Sequence, residues 1–347
     1  MNPVERVIRR VDKAQQRHTV PAFVFGVIKK YGDDNGGVLV ANLAYSCFVS
    51  LFPLLLVLTT ILGLITAADQ SIRQSVLDAV ANQVPLIGHT LEENVHQLRR
   101  NSVIGLIIGL LALIWGTTGL AQAGLFTMAQ VWNLPGPDRP GYVQRLGRAV
   151  TFLGLLGVGV IATTLLSALN TYGHLGGWMV GLAELAAGLV NVAMYLVAFR
   201  ILTPKRVGNV SLLAGAIVGG VLYTALQVLG TYLVHHYLHS DSVYGVFATV
   251  LGLVAWIYLA VEITVYSAEI NVVLYRRLWP RSIVQPPLTK ADELSMSLQA
   301  LQNRRRPEQH VEVTFDQHDD DHKDKDQDNG QDKEAKPEPA QDPAPHP

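Results

Sequence analysis

The sequence predicts an all-α polytopic membrane protein. Three observations carry that prediction. Charged residues make up only 16% of the 347 positions, against roughly 25% in an average soluble protein. The deficit sits in long stretches free of Asp, Glu, Lys and Arg, such as 101–137, 149–183 and 207–240. Each is longer than the about 20 apolar residues a spanning helix needs. Basic and non-basic connections alternate between these stretches, the pattern that orients a multi-pass chain. A single cysteine, Cys47, excludes an internal disulfide framework.

The first element is residues 1–38. Val4, Val7, Ile8 and Val11 recur at helical spacing, with Arg6, Arg9, Arg10 and Lys13 on other faces. That pattern predicts an amphipathic N-terminal helix lying in the headgroup plane. No apolar core suited to a secretory signal is present in this stretch. A transmembrane domain over 39–278 follows, with spans predicted at 40–66, 103–125, 149–171, 178–202, 210–234 and 245–274. Between the first two spans, 67–102 reads as two short amphipathic helices broken around Pro85 and Gly88. Residues 279–306 form a basic juxtamembrane segment. Residues 307–347 are acidic, nearly free of large apolar side chains after Phe315, and expected to be disordered.

Charge assigns the sides. Residues 1–38 hold seven basic and four acidic groups, 126–148 three and one, 200–209 three and none, and 275–306 seven and two. The other connections are neutral or acidic. Six transmembrane helices with both termini cytoplasmic satisfy every segment. The formal net charge of −1 hides a division. Residues 1–306 carry 23 basic and 15 acidic groups, a net of +8, and the tail carries 4 and 13, a net of −9.

Ionisable groups inside a span cost about 2.5–3.5 kcal/mol each at its centre on insertion scales, so the few present are candidates. The sixth span holds Glu262 and Glu269, with Tyr266 between them on the same helix face. Glu262 reads as a proton or cation site with no evident basic partner at its depth. Glu269, nearer Arg276, reads as a structural acceptor that ties helices together. Glu184 opens the fourth span, either at the interface or heading a polar stripe with Asn191 and Tyr195. In the first span Asn42, Tyr45 and Ser50 precede Pro53, which frees a backbone carbonyl in mid-membrane. Such a kink either lines a binding site or is satisfied by a neighbouring helix. A pathway between spans one, four and six is the sharpest functional expectation.

Other patterns are weaker. Gly105/Gly109 and Gly215/Gly219 have the spacing of close helix packing, with a homo-oligomer face as the alternative. His235 and His239 stand one turn apart but read as solvated interface residues, so neither metal nor cofactor is expected. There is no phosphate-binding loop, no Gly-x-Ser-x-Gly and no His-Glu-x-x-His. An enzyme is not expected, nor is a nucleic-acid partner, because the only sizeable soluble segment is acidic.

Four stretches resemble one family. Ala44-Tyr45 is followed by Ser50-Leu51-Phe52-Pro53-Leu54-Leu55 in the first span. Trp132-Asn133 follows the second, with Arg145 and Arg148 beyond. Tyr244-Gly245 opens the sixth, and Trp256-Ile257-Tyr258-Leu259 lies within it. Ala268-Glu269-Ile270-Asn271 closes it, with Ser267 where a glycine is usual. Over residues 20–278 the chain resembles the YihY/BrkB family of bacterial inner-membrane proteins. The resemblance implies a multi-pass inner-membrane protein and, for the family, export of a lipid or other envelope component. An older ribonuclease BN label for the family counts as a misassignment, and no catalytic residue set carries over. The expected function is a transporter or lipid/envelope-component export factor of unknown substrate, surrounded by membrane lipids. The alternative is a non-transporting scaffold for envelope assembly.

Overall fold

The computed structural model describes residues 3–65, 102–139, 141–172, 177–203, 207–237 and 243–315. The described residues form helices and no strands. Two short helices come first, α1 (Pro3–Arg17) and α2 (Thr19–Asp33). Six long ones follow: α3 (Gly36–Ile65), α4 (Ser102–Val131), α5 (Tyr142–Tyr172), α6 (Gly177–Leu202), α7 (Val210–Tyr237) and α8 (Val243–Arg276). A last helix, α9, covers Lys290–Gln302. The expected outer helices in 67–102, the tail beyond 315, and His239 lie outside the described residues.

The six long helices sit at the six predicted spans. Five are long and apolar enough to cross a membrane, over Gly36–Leu55, Leu111–Val131, Leu185–Leu202, Val210–Gly230 and Thr249–Arg276. Helix α5 is not among those five, although its 31 residues extend about 46 Å at 1.5 Å per residue. Each long helix packs on the next in sequence, and α8 packs back on α3, closing a ring. Helix α8 also touches α2 and α4.

The described core lies toward one end of this ring. Its members come from the start of α3 (Leu39, Val40, Leu43), the ends of α4 and α6 (Met128, Val131, Phe199), the start of α7 (Leu212, Ala216) and the last turns of α8 (Val265, Val272, Val273). Two of these helices stop at that end in the same way. Asn133 and Arg277 have positive φ values of 48° and 54°. The next amide in each case bonds five residues back, Leu134 N–H to Ala129 O and Leu278 N–H to Val273 O. This is the Schellman ending, with Asn and Arg in the place glycine usually fills.

Little hydrophobic drive separates helix from lipid, so close approach and interhelical hydrogen bonds hold the ring. Helix α3 runs through Pro53 without ending. Gly116 of α4 makes room there, since a Cβ on it would stand 3.1 Å from Pro53 Cγ. Pro53 is thus packed by a neighbouring helix. At Gly215 of α7 a Cβ would overlap the Ser267 carbonyl and the Asn271 side chain of α8. The Gly215 N–H donates to Asn271 Oδ1 at 2.7 Å, so this contact tolerates no side chain.

Within 279–306 the chain folds into a second fastening. Thr289 caps α9, and Asp292 at the third helical position returns the bond, a capping box. Asp292 is fully buried. Its Oδ1 accepts from Lys29 Nζ (2.8 Å) and Arg281 Nε (2.9 Å), and its Oδ2 from Ser282 N–H and Oγ–H at 3.0 and 2.7 Å. Arg281, itself buried, also pairs with Asp33 at 2.7 Å. Asp12 of α1 accepts from the Ile283 N–H at 3.0 Å. The first and last described helices are therefore joined through the 281–292 stretch.

Burial alone would raise the Asp292 carboxyl. Its bonds from Lys29, Ser282 and Thr289 outweigh that and hold it well below the ordinary carboxylate range. A carboxyl lowered on folding contributes stability above its ordinary value and loses it as pH falls. We therefore expect detergent-solubilised protein to lose apparent melting temperature as the pH drops below 3.8, the ordinary value. Asp292→Asn should begin less stable at neutral pH and lack this part of the acid loss, read by thermal unfolding across pH. Separately, Gly215→Val should cost about 1–3 kcal/mol by overpacking and lower the yield of monodisperse protein, whereas Gly154→Val, with open space at that Cβ, should not.

Candidate functional site

The site forms where the start of the chain meets the end of α8. Lys30, in the last turn of α2, is fully buried. A buried ammonium needs partners, and Lys30 has three. It donates to the Asp34 carboxylate one turn on. It donates to the Val131 carbonyl at the end of α4, 3.1 Å away. It pairs with Glu269 of α8 at 3.6 Å, and that carboxylate is also fully buried. Neither Glu269 oxygen has a hydrogen-bond partner. One cation thus serves two buried carboxylates, and Glu269 is the less satisfied of the two.

The chain around this cluster is tied to it. Asn133, just past α4, donates to Asp34 Oδ1 at 3.2 Å and to Gln302 Oε1 of α9 at 2.9 Å. The Arg276 guanidinium donates to the Trp132 carbonyl at 2.9 Å, and the buried Trp132 ring meets Tyr275 edge-on at 5.7 Å. The left-handed turn at Asn133 is what turns its amide toward Asp34, so the helix ending and the ion cluster depend on one another.

Tyr31 of α2 lies flat on Tyr266 of α8, with ring centroids 4.2 Å apart and planes 8° from parallel. Burial, and next the charge of Glu262, push the Tyr31 phenol up to about 12. The face shared by Glu262, Tyr266 and Glu269 therefore faces α2. Glu262 is half-buried, and no described side chain pairs with its carboxylate.

The remaining candidates divide. Asn191 of α6 is buried and donates to Thr224 and Gln227 of α7 at 2.9 and 3.0 Å. Tyr195 bonds Thr264 of α8 at 3.1 Å, and Asn271 holds Gly215. These residues join helices. Ser50 is buried and donates to the Cys47 carbonyl at 2.8 Å, while Pro53 packs on Gly116. Tyr45 is 70% exposed on the outside of the ring and stands apart from the others. Asn42 lines a cavity of about 380 Å³ on the α3–α4 seam. Of Glu184 only the helical backbone is described. The structure gathers Glu262, Glu269 and Asn271 on α8, but does not bring Asn42, Tyr45 or Asn191 to the ion cluster. Among the described residues no cluster of His, Cys, Asp and Glu could hold a metal.

Lys30 and Asp34 were absent from the sequence candidates because they precede the first span. The signal available was their spacing of four residues next to an apolar run, with Glu269 left needing a cation. Removing the shared cation is the severe change. Lys30→Met should destabilise the protein by about 3–5 kcal/mol, the range for breaking a buried pair. Glu269→Gln should cost clearly less, because it removes the surplus negative charge. Thermal unfolding in detergent compares them, and equal losses would contradict the sharing.

Comparison with known proteins agrees with this architecture. The family model described as "Virulence factor BrkB" matches residues 27–289. The Escherichia coli K12 protein named "Inner membrane protein YhjD" is 23% identical over 285 residues, covering 76% of this chain and 84% of its own length. A "UPF0761 membrane protein" of Alcanivorax borkumensis is 24% identical over 263 residues, 73% of this chain and 60% of that protein. A UPF0761 membrane protein of Pseudomonas paraeruginosa is 29% identical over 72% of this chain and 62% of its own. The chain thus spans about 60% of the length of some of these relatives. No solved structure matches it significantly. The chain is an integral membrane protein and belongs to the virulence factor BrkB family.

Proposed function

We propose that this protein is a transporter or export factor for a lipid or other envelope component, set in a bacterial inner membrane with six crossings and both termini cytoplasmic. One observation carries the reading. Ionisable groups run in a line from the buried Lys30–Asp34–Glu269 cluster, past the stacked Tyr31 and Tyr266, to the half-buried Glu262 about two turns along α8. Such groups are costly inside a membrane and mark proton or ion pathways. Glu269, with both oxygens lacking a hydrogen-bond partner, is suited to take up and release a proton as Lys30 shifts toward Asp34. Glu262 is the next carrier on the same face.

Placement supports the sidedness. The described parts of the connections rich in Lys and Arg sit at the end of the ring where α1, α2 and α9 lie. Val7 and Val11 of α1, and Val20, Val24 and Ile28 of α2, are exposed, while α1 turns Arg9 and Gln15 toward carbonyls of 281–286. Exposed apolar stripes backed by a polar inner face suit helices that lie against lipid.

A second reading, a non-transporting scaffold, is favoured by the commitment of Asn191, Tyr195 and Asn271 to helix–helix bonds. Glu262 separates the two. In a depletion strain followed by lipid mass spectrometry, the wild type should restore envelope composition, and Glu262→Gln should fail to do so at equal membrane level. Full restoration by the Gln variant would overturn the transport reading in favour of the scaffold.

A further inference from the structure

The cavity on the α3–α4 seam takes no part in the line of groups along α8. It begins at the connection after α4 and follows that helix inward past Phe126 and Gln122 to Gly119. Gly119 lies twelve residues before the end of α4, about 18 Å along the helix. Asn42 and Ser46 form the α3 wall, and Arg139 and Arg145 stand at the mouth. None of the described lining residues is acidic. The space is therefore charged at one end and mixed polar and apolar beyond it. Its volume of about 380 Å³ lies within the range of small-molecule sites, roughly 300–1,000 Å³.

We propose that this cavity binds a phosphate-bearing anion, seated between Arg139 and Arg145, with any attached chain running along the α3–α4 seam. The arginine geometry suits that ligand. Arg139 gives its Nε–H to the Leu134 carbonyl at 3.3 Å, and its guanidinium lies 5.9 Å from the centre of the Phe126 ring. Those contacts fix the plane of the guanidinium, and its two terminal nitrogens remain for two phosphate oxygens. Burial, and then the Arg145 charge, hold the Arg139 guanidinium below its ordinary value. The Arg145 charge that lowers Arg139 favours an anion beside it. Asn42 and Gln122 offer amide donors to the remaining oxygens. The phosphate belongs either to a membrane lipid headgroup or to a soluble phosphate compound.

The inference deepens the transport reading by giving the ligand its charge, but its test reads binding alone. The full chain in detergent would be titrated with dioleoyl-phosphatidylglycerol and, separately, dioleoyl-phosphatidylcholine, with bound lipid counted by native mass spectrometry. Wild type should prefer phosphatidylglycerol by about tenfold, as expected for two basic groups near an anionic headgroup. R139Q/R145Q should lose that preference with an unchanged melting temperature, and R139K/R145K should keep it at reduced affinity. If the Gln pair is unstable, Ser46→Leu, which fills the cavity from α3, must abolish the same preference. Inorganic phosphate and glycerol 3-phosphate form the second arm. Arginine-dependent displacement of the lipid by millimolar phosphate assigns a soluble phosphate compound to the site, and failure to displace assigns the lipid. No preference in the wild type, or an undiminished one in the Gln pair, would overturn the proposal. A normal result for Glu262→Gln in the depletion strain would leave this binding untouched, so the two readings fail separately.

Discussion

One end of the helix ring is organised by one buried ammonium. Lys30 cannot remain charged out of water without partners, and its partners come from three places in the chain. Asp34 is one turn away, the Val131 carbonyl closes α4, and Glu269 lies on α8. Satisfying Lys30 therefore sets the depth of α2, the endpoint of α4 and the rotation of α8 together. The Schellman turn at Asn133 and the Arg276–Trp132 bond follow from that meeting point. Because the cation is shared unequally, the same contact that fixes the geometry leaves one carboxylate incompletely satisfied.

Polar residues inside the ring serve two different ends. Asn191, Tyr195 and Asn271 each find a partner on a neighbouring helix, which is how polar groups hold membrane helices together where apolar burial offers little. Glu262 and Glu269 lack comparable bonds. Among the described residues, the least satisfied carboxylates inside the ring thus share one face of α8, and the other long helices supply its frame. The cavity between α3 and α4 is a separate environment, with arginines at its mouth and no acid among its described lining residues.

Much of this was legible in the chain. Uncharged runs place all six long helices, because hydrocarbon leaves few alternatives to an apolar helix. The spacing of Glu262, Tyr266 and Glu269 gives their common face, since seven residues are close to two turns. What the spacing could not give was the element opposite. Lys30 and Asp34 lie in a segment that reads as an amphipathic helix in the headgroup plane, and only folding brings them to Glu269. The polar first-span residues show the reverse limit. Asn42, Tyr45 and Ser50 look like one set, yet the 100° step between neighbouring residues puts Tyr45 outside the ring and Ser50 within it. Residues 279–306 read as a basic tether by charge alone. Thr289 and Asp292 already spell a helix start, and the burial of Arg281 depends on Asp33 from the far end of the chain.

The fastening at Asp292 also has a meaning in time. Lys29 leaves the ribosome 263 residues before the carboxylate it will bind. Through most of that interval Lys29 and Asp33 have none of their distant partners, and Lys30 and Asp34 have only those at the end of α4. Contacts this far apart form late, after the chain between them has been ordered. During synthesis the amino-terminal helices must wait in water or against the lipid surface while the ring assembles. They are drawn in when α8 and the residues after it arrive. The first part of the protein to be made is among the last to be put in place.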